Sequence, residues 1–148
     1  MDIRFENKEA FTVCGYLIET SDVSYEADTR LLRDKYEDKL RTFTKNDTEI
    51  YGVTWYCNIE DVTYYLLGIE KLHQASIGED SVEIPAATFA VATIPAEMSV
   101  YDAWIELFEK ELPSVGYSYT EFTEKCFELY RNGVLEIWVP VVKAEKLS

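Results

Sequence analysis

Lys125-Cys126-Phe127-Glu128-Leu129-Tyr130 and Val134-Leu135-Glu136-Ile137-Trp138-Val139-Pro140-Val141, with Asn132-Gly133 between them, decide how this chain folds. Both runs are rich in aromatic and β-branched residues, and Asn-Gly is a strong two-residue hairpin signal. A turn there sets the register: Glu128 lies opposite Ile137, and Glu136 pairs with Leu129 on the reverse face. Strand alternation puts Glu128 on one face with Cys126 and Tyr130, while Phe127 and Leu129 point the other way.

Working outward, Ser99 followed by Asp102 is a capping-box variant, and Tyr101, Trp104, Ile105, Phe108 and Leu112 form a helical stripe that Pro113 stops. Before it, Val82-Glu83-Ile84-Pro85 leads into the strand Thr88-Phe89-Ala90-Val91-Ala92-Thr93-Ile94, which Pro95 ends for want of an N–H. The first half has the same order. Ala10-Phe11-Thr12-Val13-Cys14-Gly15-Tyr16-Leu17-Ile18 is strand-like. Residues 25–43 read as a helix with Leu32, Tyr36, Leu40 and Phe43 on one stripe and Arg33, Glu37 and Arg41 toward solvent. After a polar break at 44–48 come Ile50-Tyr51-Gly52-Val53-Thr54-Trp55-Tyr56-Cys57 and Thr63-Tyr64-Tyr65-Leu66-Leu67-Gly68-Ile69.

A shift of 72 lays 62–71 over 134–143 and Thr54-Trp55 over Cys126-Phe127. The expected fold class is α+β. Duplicated β-α-β-β units form a central antiparallel sheet, with helices on one face and a ligand groove on the other. The chain, 1–148, then reads as one domain of two pseudo-repeats, about 10–71 and 82–143, joined by the polar stretch 72–81.

Charge excludes some partners. Fourteen Lys and Arg against 28 Asp and Glu give a net charge of −14, wrong for neutralising phosphates, so no direct nucleic-acid contact is expected. No run approaches the roughly 20 apolar residues of a membrane span, and residues 1–11 lack the apolar core of a signal peptide. A cytoplasmic protein without membrane contact is the expectation. Cys14, Cys57 and Cys126 are an odd number at unrelated spacings, which argues against a disulfide framework or zinc ribbon. His73, the only histidine, sits in the linker without companions at ligand spacing. There is no phosphate loop, nucleophile elbow or Cys-x-x-Cys. Neither metal, cofactor nor catalytic residue is assigned. Asn46-Asp47-Thr48 reads as a loop, and the acidic stretch 19–28 lacks the alternating ligands and central Gly of a calcium loop.

Eleven tyrosines among 148 residues are the unusual feature. A buried Tyr must seat its hydroxyl on a partner, so many of them across one small sheet suggest a surface apolar in body and polar at its tips. Glu128 in an otherwise apolar strand has two readings. It stands on an exposed sheet face, or it waits in a groove for a cation between aromatic walls, where each cation–π contact adds about 0.5–2 kcal/mol. Trp104 has the same ambiguity, since its helical spacing also suits plain core.

The duplicated plan, Tyr51-Gly52-Val53-Thr54-Trp55, Val82-Glu83-Ile84-Pro85-Ala86-Ala87, Phe127-Glu128-Leu129-Tyr130 and Leu135-Glu136-Ile137-Trp138-Val139-Pro140-Val141 resemble the GyrI-like small-molecule-binding domain, also called the AraC-type or bacterial transcription-activator effector-binding domain. The likeness spans about 11–143. It implies two pseudo-symmetric halves around a groove that takes lipophilic, often cationic, compounds. It gives Glu128 the groove glutamate's role and Tyr51 that of a pocket aromatic. Tyr36, Tyr101 and Tyr130, with Trp55 and Trp104, become candidate walls. The family's regulators carry a DNA-binding helix-turn-helix, and with ten residues before Phe11 this chain reads as the stand-alone form. The resemblance implies drug or toxin sensing or sequestration. It also admits a hydrolase of lipophilic toxins using the same glutamate, or an interaction protein whose partner is a regulator or gyrase.

Overall fold

Two connections too short to cross an open sheet set the architecture. The computed structural model describes residues 1–42, 49–71, 80–119, 125–131 and 133–143. In chain order the elements begin with β1 (Asp2–Lys8), β2 (Phe11–Thr20), α1 (Tyr25–Arg41), β3 (Ile50–Cys57), β4 (Val62–Glu70) and β5 (Asp80–Ile84). There follow β6 (Ala87–Thr93), α2 (Val100–Glu106), β7 (Tyr117–Tyr119), β8 (Cys126–Arg131) and β9 (Val134–Lys143). Beyond α2 the helix widens into a π-helical segment, Leu107–Glu111, and ends in the turn Leu112–Ser114. The antiparallel order is β1-β6-β9-β8-β3-β4-β2-β5, with β7 pairing β9 to one side. His73, Phe43, Asn132 and the Asn46 sequon lie outside the described residues.

The order reads the same from both ends about the β3–β8 seam. Each leading strand pairs into the opposite half: β1 with β6, and β5 with β2. Yet β1 reaches β2 through Glu9 and Ala10 alone, and β5 reaches β6 through Pro85 and Ala86 alone. Two intervening residues span about 11 Å at full extension. A flat path of six strand spacings would need nearly 30 Å, at about 4.8 Å each. The sheet therefore curls on itself.

Curling creates two cores. On one face Ile50, Tyr65, Leu67, Ala90, Ala92, Ile137 and Val139 pack with Tyr25, Leu32 and Leu40 of α1 and Ala103 and Trp104 of α2. On the other, Val13, Tyr51, Val53, Leu66, Ile84, Phe89, Val91, Phe127, Leu129 and Trp138 form a cluster to which no helix contributes. Among the described residues, that cluster is built by strands and the segments beside them. Helices occupy one face as expected. The second face, where the groove was expected, carries packed rings such as Phe127 stacked on Trp138 at 5.3 Å.

The predicted helix starts and hairpin register are present. Ser99 Oγ accepts the Asp102 N–H at 3.1 Å, and Glu128 pairs Ile137 while Leu129 pairs Glu136. The uniform shift of 72 needs correction. Cys57 pairs Val62 but Arg131 pairs Val134, so the second hairpin is two residues shorter. With β4 laid on β9, Thr54 falls on Glu128 rather than on Cys126.

Glu136, which the hairpin register puts on the reverse face from Glu128, lies on the second face and is 5% exposed. It accepts Arg131 Nη2 at 3.1 Å and Trp138 Nε1 at 3.3 Å, and Arg4 Nη2 of β1 stands 2.9 Å away. Arg131 reaches on to Glu49 at 2.9 Å, which also accepts the Tyr51 hydroxyl. The acid thus fastens β1 to β8 and β9. Its arginines keep solvent contact, so screening discounts the pairing below that of a fully buried triad. Glu136→Gln should cost about 1–3 kcal/mol in urea denaturation; an unchanged midpoint and slope would mean that the network carries no stability.

Candidate functional site

Across the seam from Glu128 stands Gly52. A Cβ at Gly52 would lie 2.1 Å from the Tyr65 hydroxyl oxygen and 3.0 Å from Glu128 Oε1. The missing side chain is the room in which these two groups meet. Glu128 points to the helix-covered face and is 0% exposed. Four donors converge on it. Oε2 accepts Tyr25 Oη of α1 at 2.6 Å and Trp104 Nε1 of α2 at 2.8 Å. Oε1 accepts Tyr65 Oη of β4 and Tyr130 Oη of β8, each at 2.9 Å. Four donors match the lone-pair capacity of an ionised carboxylate, so the desolvated oxygens are filled.

Arg33 completes the cluster. Its Nη1 donates to Tyr130 Oη at 3.1 Å, and the guanidinium lies 5.3 Å from the Tyr130 ring centre. The sequence reading put Arg33 on the solvent side with Glu37 and Arg41. Only the Arg41–Glu37 pair forms there, at 2.6 Å. Arg33 turns inward because Tyr25, Thr29 and Arg33 recur every four residues on one helix face, and Thr29 and Tyr25 are both buried. Burial first, and the Glu128 charge second, push the phenols of Tyr25 and Tyr65 well above the ordinary tyrosine range. Tyr130 is raised by the same causes, and at both Tyr65 and Tyr130 the Arg33 guanidinium offsets part of the rise. All three hydroxyls keep their protons and remain donors.

The expected site residues divide into three groups. Glu128, Tyr130 and Trp104 come together. Tyr36 and Tyr101 flank the helices. Tyr36 stacks on Tyr16 at 3.7 Å beside an open cleft of about 480 Å³ that Leu17, Leu31, Lys35, Asp28 and Asp80 also line. Tyr101 donates its backbone N–H to Glu26 Oε2 at 3.0 Å, at the cleft between the α1 and α2 N-termini. Tyr51 and Trp55 lie on the opposite face: Tyr51 sits inside the second core, and Trp55 stacks on Tyr64 at 5.5 Å. One cleft holding all seven is therefore not what the chain builds, because odd and even strand positions diverge. Nor is the carboxylate open at the floor of a groove; Tyr25, 7% exposed, and Trp104, 9% exposed, close over it.

Sequence reading missed Tyr25, Tyr65, Gly52 and Arg33. The signal for Tyr25 and Arg33 was the four-residue spacing in α1. Tyr65 and Gly52 needed the β3–β8 pairing, which no local pattern reveals. Among the described residues, no three His, Cys, Asp or Glu side chains group as a metal site.

This fold recurs in solved structures. SAV2435 bound to tetraphenylphosphonium matches with a TM-score of 0.73 at 16% identity, covering 96% of this chain and 94% of that one. The integron cassette protein VCH_CASS2 of Vibrio cholerae matches at TM-score 0.68 and 14% identity, covering 95% of each chain. The C-terminal domain of EcmrR matches at 0.55 and 16% identity, covering 97% of this chain and 98% of that domain. No curated protein sequence matches the chain significantly. Residues 4–141 match Cass2, the integron-associated effector binding protein family. The chain belongs to that family and is one of the GyrI-like effector-binding domains.

Two measurements test the cluster. In an alkaline titration followed at the phenolate absorbance, Tyr25, Tyr65 and Tyr130 should stay protonated past the ordinary value of about 10 and ionise only with unfolding. Their contribution to stability is complete below that value and is lost as pH rises toward their elevated folded-state values, because the native state then holds more protons than the unfolded chain. All tyrosines titrating together in the folded protein would contradict the geometry. Separately, Gly52→Ala should lower stability by about 1–3 kcal/mol through overpacking, read from a shift in the urea midpoint; a neutral result would mean that Tyr65 and Glu128 move aside freely.

Proposed function

We propose that this protein binds lipophilic cations against Glu128, between the sheet and the two helices, and so senses or sequesters drug- or toxin-like compounds. The observation that carries the reading is a wholly buried carboxylate whose direct partners are all neutral aromatic donors. Neutral dipoles satisfy the oxygens but bring no full charge of their own to the carboxylate, and aromatic faces suit a bulky organic cation. The tetraphenylphosphonium bound to SAV2435 supports this ligand class for a chain of the same fold.

Access requires the helices to part. Tyr25 stands at the start of α1 and Trp104 in the short α2, so outward movement of either uncovers Oε2 and leaves an aromatic wall beside it. The π-helical turn after α2 is a non-standard segment of the kind found at functional sites. The clefts beside the helix N-termini and beside α1 already bring solvent to both flanks. On the sheet side, the rings of the described residues pack against one another instead.

Glu128→Gln should weaken tetraphenylphosphonium by at least about tenfold, or 1.4 kcal/mol, while changing neutral triphenylphosphine oxide by less than about threefold. Quenching of tryptophan fluorescence, with Trp104 at the site, reads both affinities. Equal losses for the two ligands would remove the charge from the account.

A further inference from the structure

The geometry points to Arg33 as the residue that sets the charge selectivity of this site: it is a resident counter-cation that an incoming cation must outcompete and that a neutral or anionic ligand need not. This inference rests on the proposed site at Glu128 and deepens it.

Two hydrogen bonds in series, of 3.1 and 2.9 Å, link the Arg33 guanidinium to the carboxylate through the Tyr130 hydroxyl. Tyr130 has one proton to donate, and Arg33 can only donate, so the direction of the chain is fixed from guanidinium to phenol to carboxylate. The guanidinium also lies over the Tyr130 ring, occupying the aromatic face that a ligand cation would use. No other lysine or arginine is hydrogen-bonded or ion-paired to this cluster among the described residues. Arg4 and Arg131 serve Glu136 on the other face, while Arg30 and Arg41 pair with Glu26 and Glu37 along α1. The half-buried base therefore offsets part of the buried acid's charge as seen by a ligand. A cation entering beside Glu128 meets the repulsion of Arg33 at short range, in surroundings where screening by water is weak. An anion of the same shape meets attraction.

The selectivity is measurable with tetraphenylphosphonium and tetraphenylborate, ions of nearly the same shape and opposite charge. Both are titrated into the full chain and into Arg33→Met, Arg33→Gln and Arg33→Lys, with folding of each variant verified by circular dichroism. Arg33→Met and Arg33→Gln should raise the cation-to-anion affinity ratio by about tenfold or more, and Arg33→Lys should restore it to the parent value. A packing role would weaken both ions alike and leave the ratio in place. A ratio unchanged within about threefold in whichever neutral variant folds overturns the role of Arg33. Glu128→Gln run alongside separates the two failures. If it weakens the cation while the Arg33 variants leave the ratio alone, the site stands and the selectivity residue is wrong. If it leaves the cation unaffected, the site itself is wrong.

Discussion

A carboxylate cut off from water must have its oxygens filled by the protein, and at Glu128 that requirement organises both helices and the seam. The four donors come from four elements: Tyr25 from α1, Tyr65 from β4, Trp104 from α2 and Tyr130 from β8. Charge-assisted hydrogen bonds contribute about 1.5–3 kcal/mol each, and leaving a buried charge unfilled costs more. One side chain at the centre of the sheet thereby fixes where the helices sit. Gly52 is part of the same constraint, because a side chain there would fill the space the Tyr65 hydroxyl needs.

The two faces of the sheet have divided labour. The second face is closed by curvature: the short β1–β2 and β5–β6 connections pull opposite ends of the path together around Phe89, Phe127 and Trp138. Space made there would have to come from breaking strand pairing. On the helix face it comes from moving α1 or α2, which are joined across their N-termini by the hydrogen bond of Tyr101 N–H to Glu26. Structural variation is cheaper in the helical layer than in a closed sheet, so a site that must admit ligands belongs there.

The fold was legible because its signals are local. Asn-Gly fixed one hairpin register, Pro95 ended a strand, Ser99 capped α2, and the apolar stripes marked both helices. Glu128 was legible for a related reason, as an acid in an otherwise apolar strand. What surrounds it was not. Tyr65 meets Glu128 only because β3 and β8 pair with Gly52 opposite the acid, and that register joins residues 76 apart in the chain. Tyr51 illustrates the converse. The family resemblance gave it a pocket role beside Glu128, but strand alternation sets it on the opposite face, where it packs with Phe11 and Phe127. Arg33 was assigned to solvent through its spacing from Glu37, although its spacing from Tyr25 and Thr29 pointed inward; a half-buried position satisfies both patterns, and only the packing against Tyr130 decides between them.

Closure of the site has a consequence for how binding could be read out. If the ligand-competent form is the one with the helices parted, the closed form is a competitor, and the apparent affinity falls by the fraction of molecules that are open. That loss is also what makes binding informative, since a ligand that fits both forms equally shifts nothing. The closed form is held by hydrogen bonds from Tyr25 and Trp104 to the same carboxylate that a cation would approach. The contacts that shut the site and the charge proposed to recruit the ligand thus reside on one group. Arg33 then biases the same balance from the far side of Tyr130, strengthening the internal pairing against which any cation competes. In the proposed reading, affinity, selectivity and change of shape are coupled through Glu128 rather than distributed over the fold.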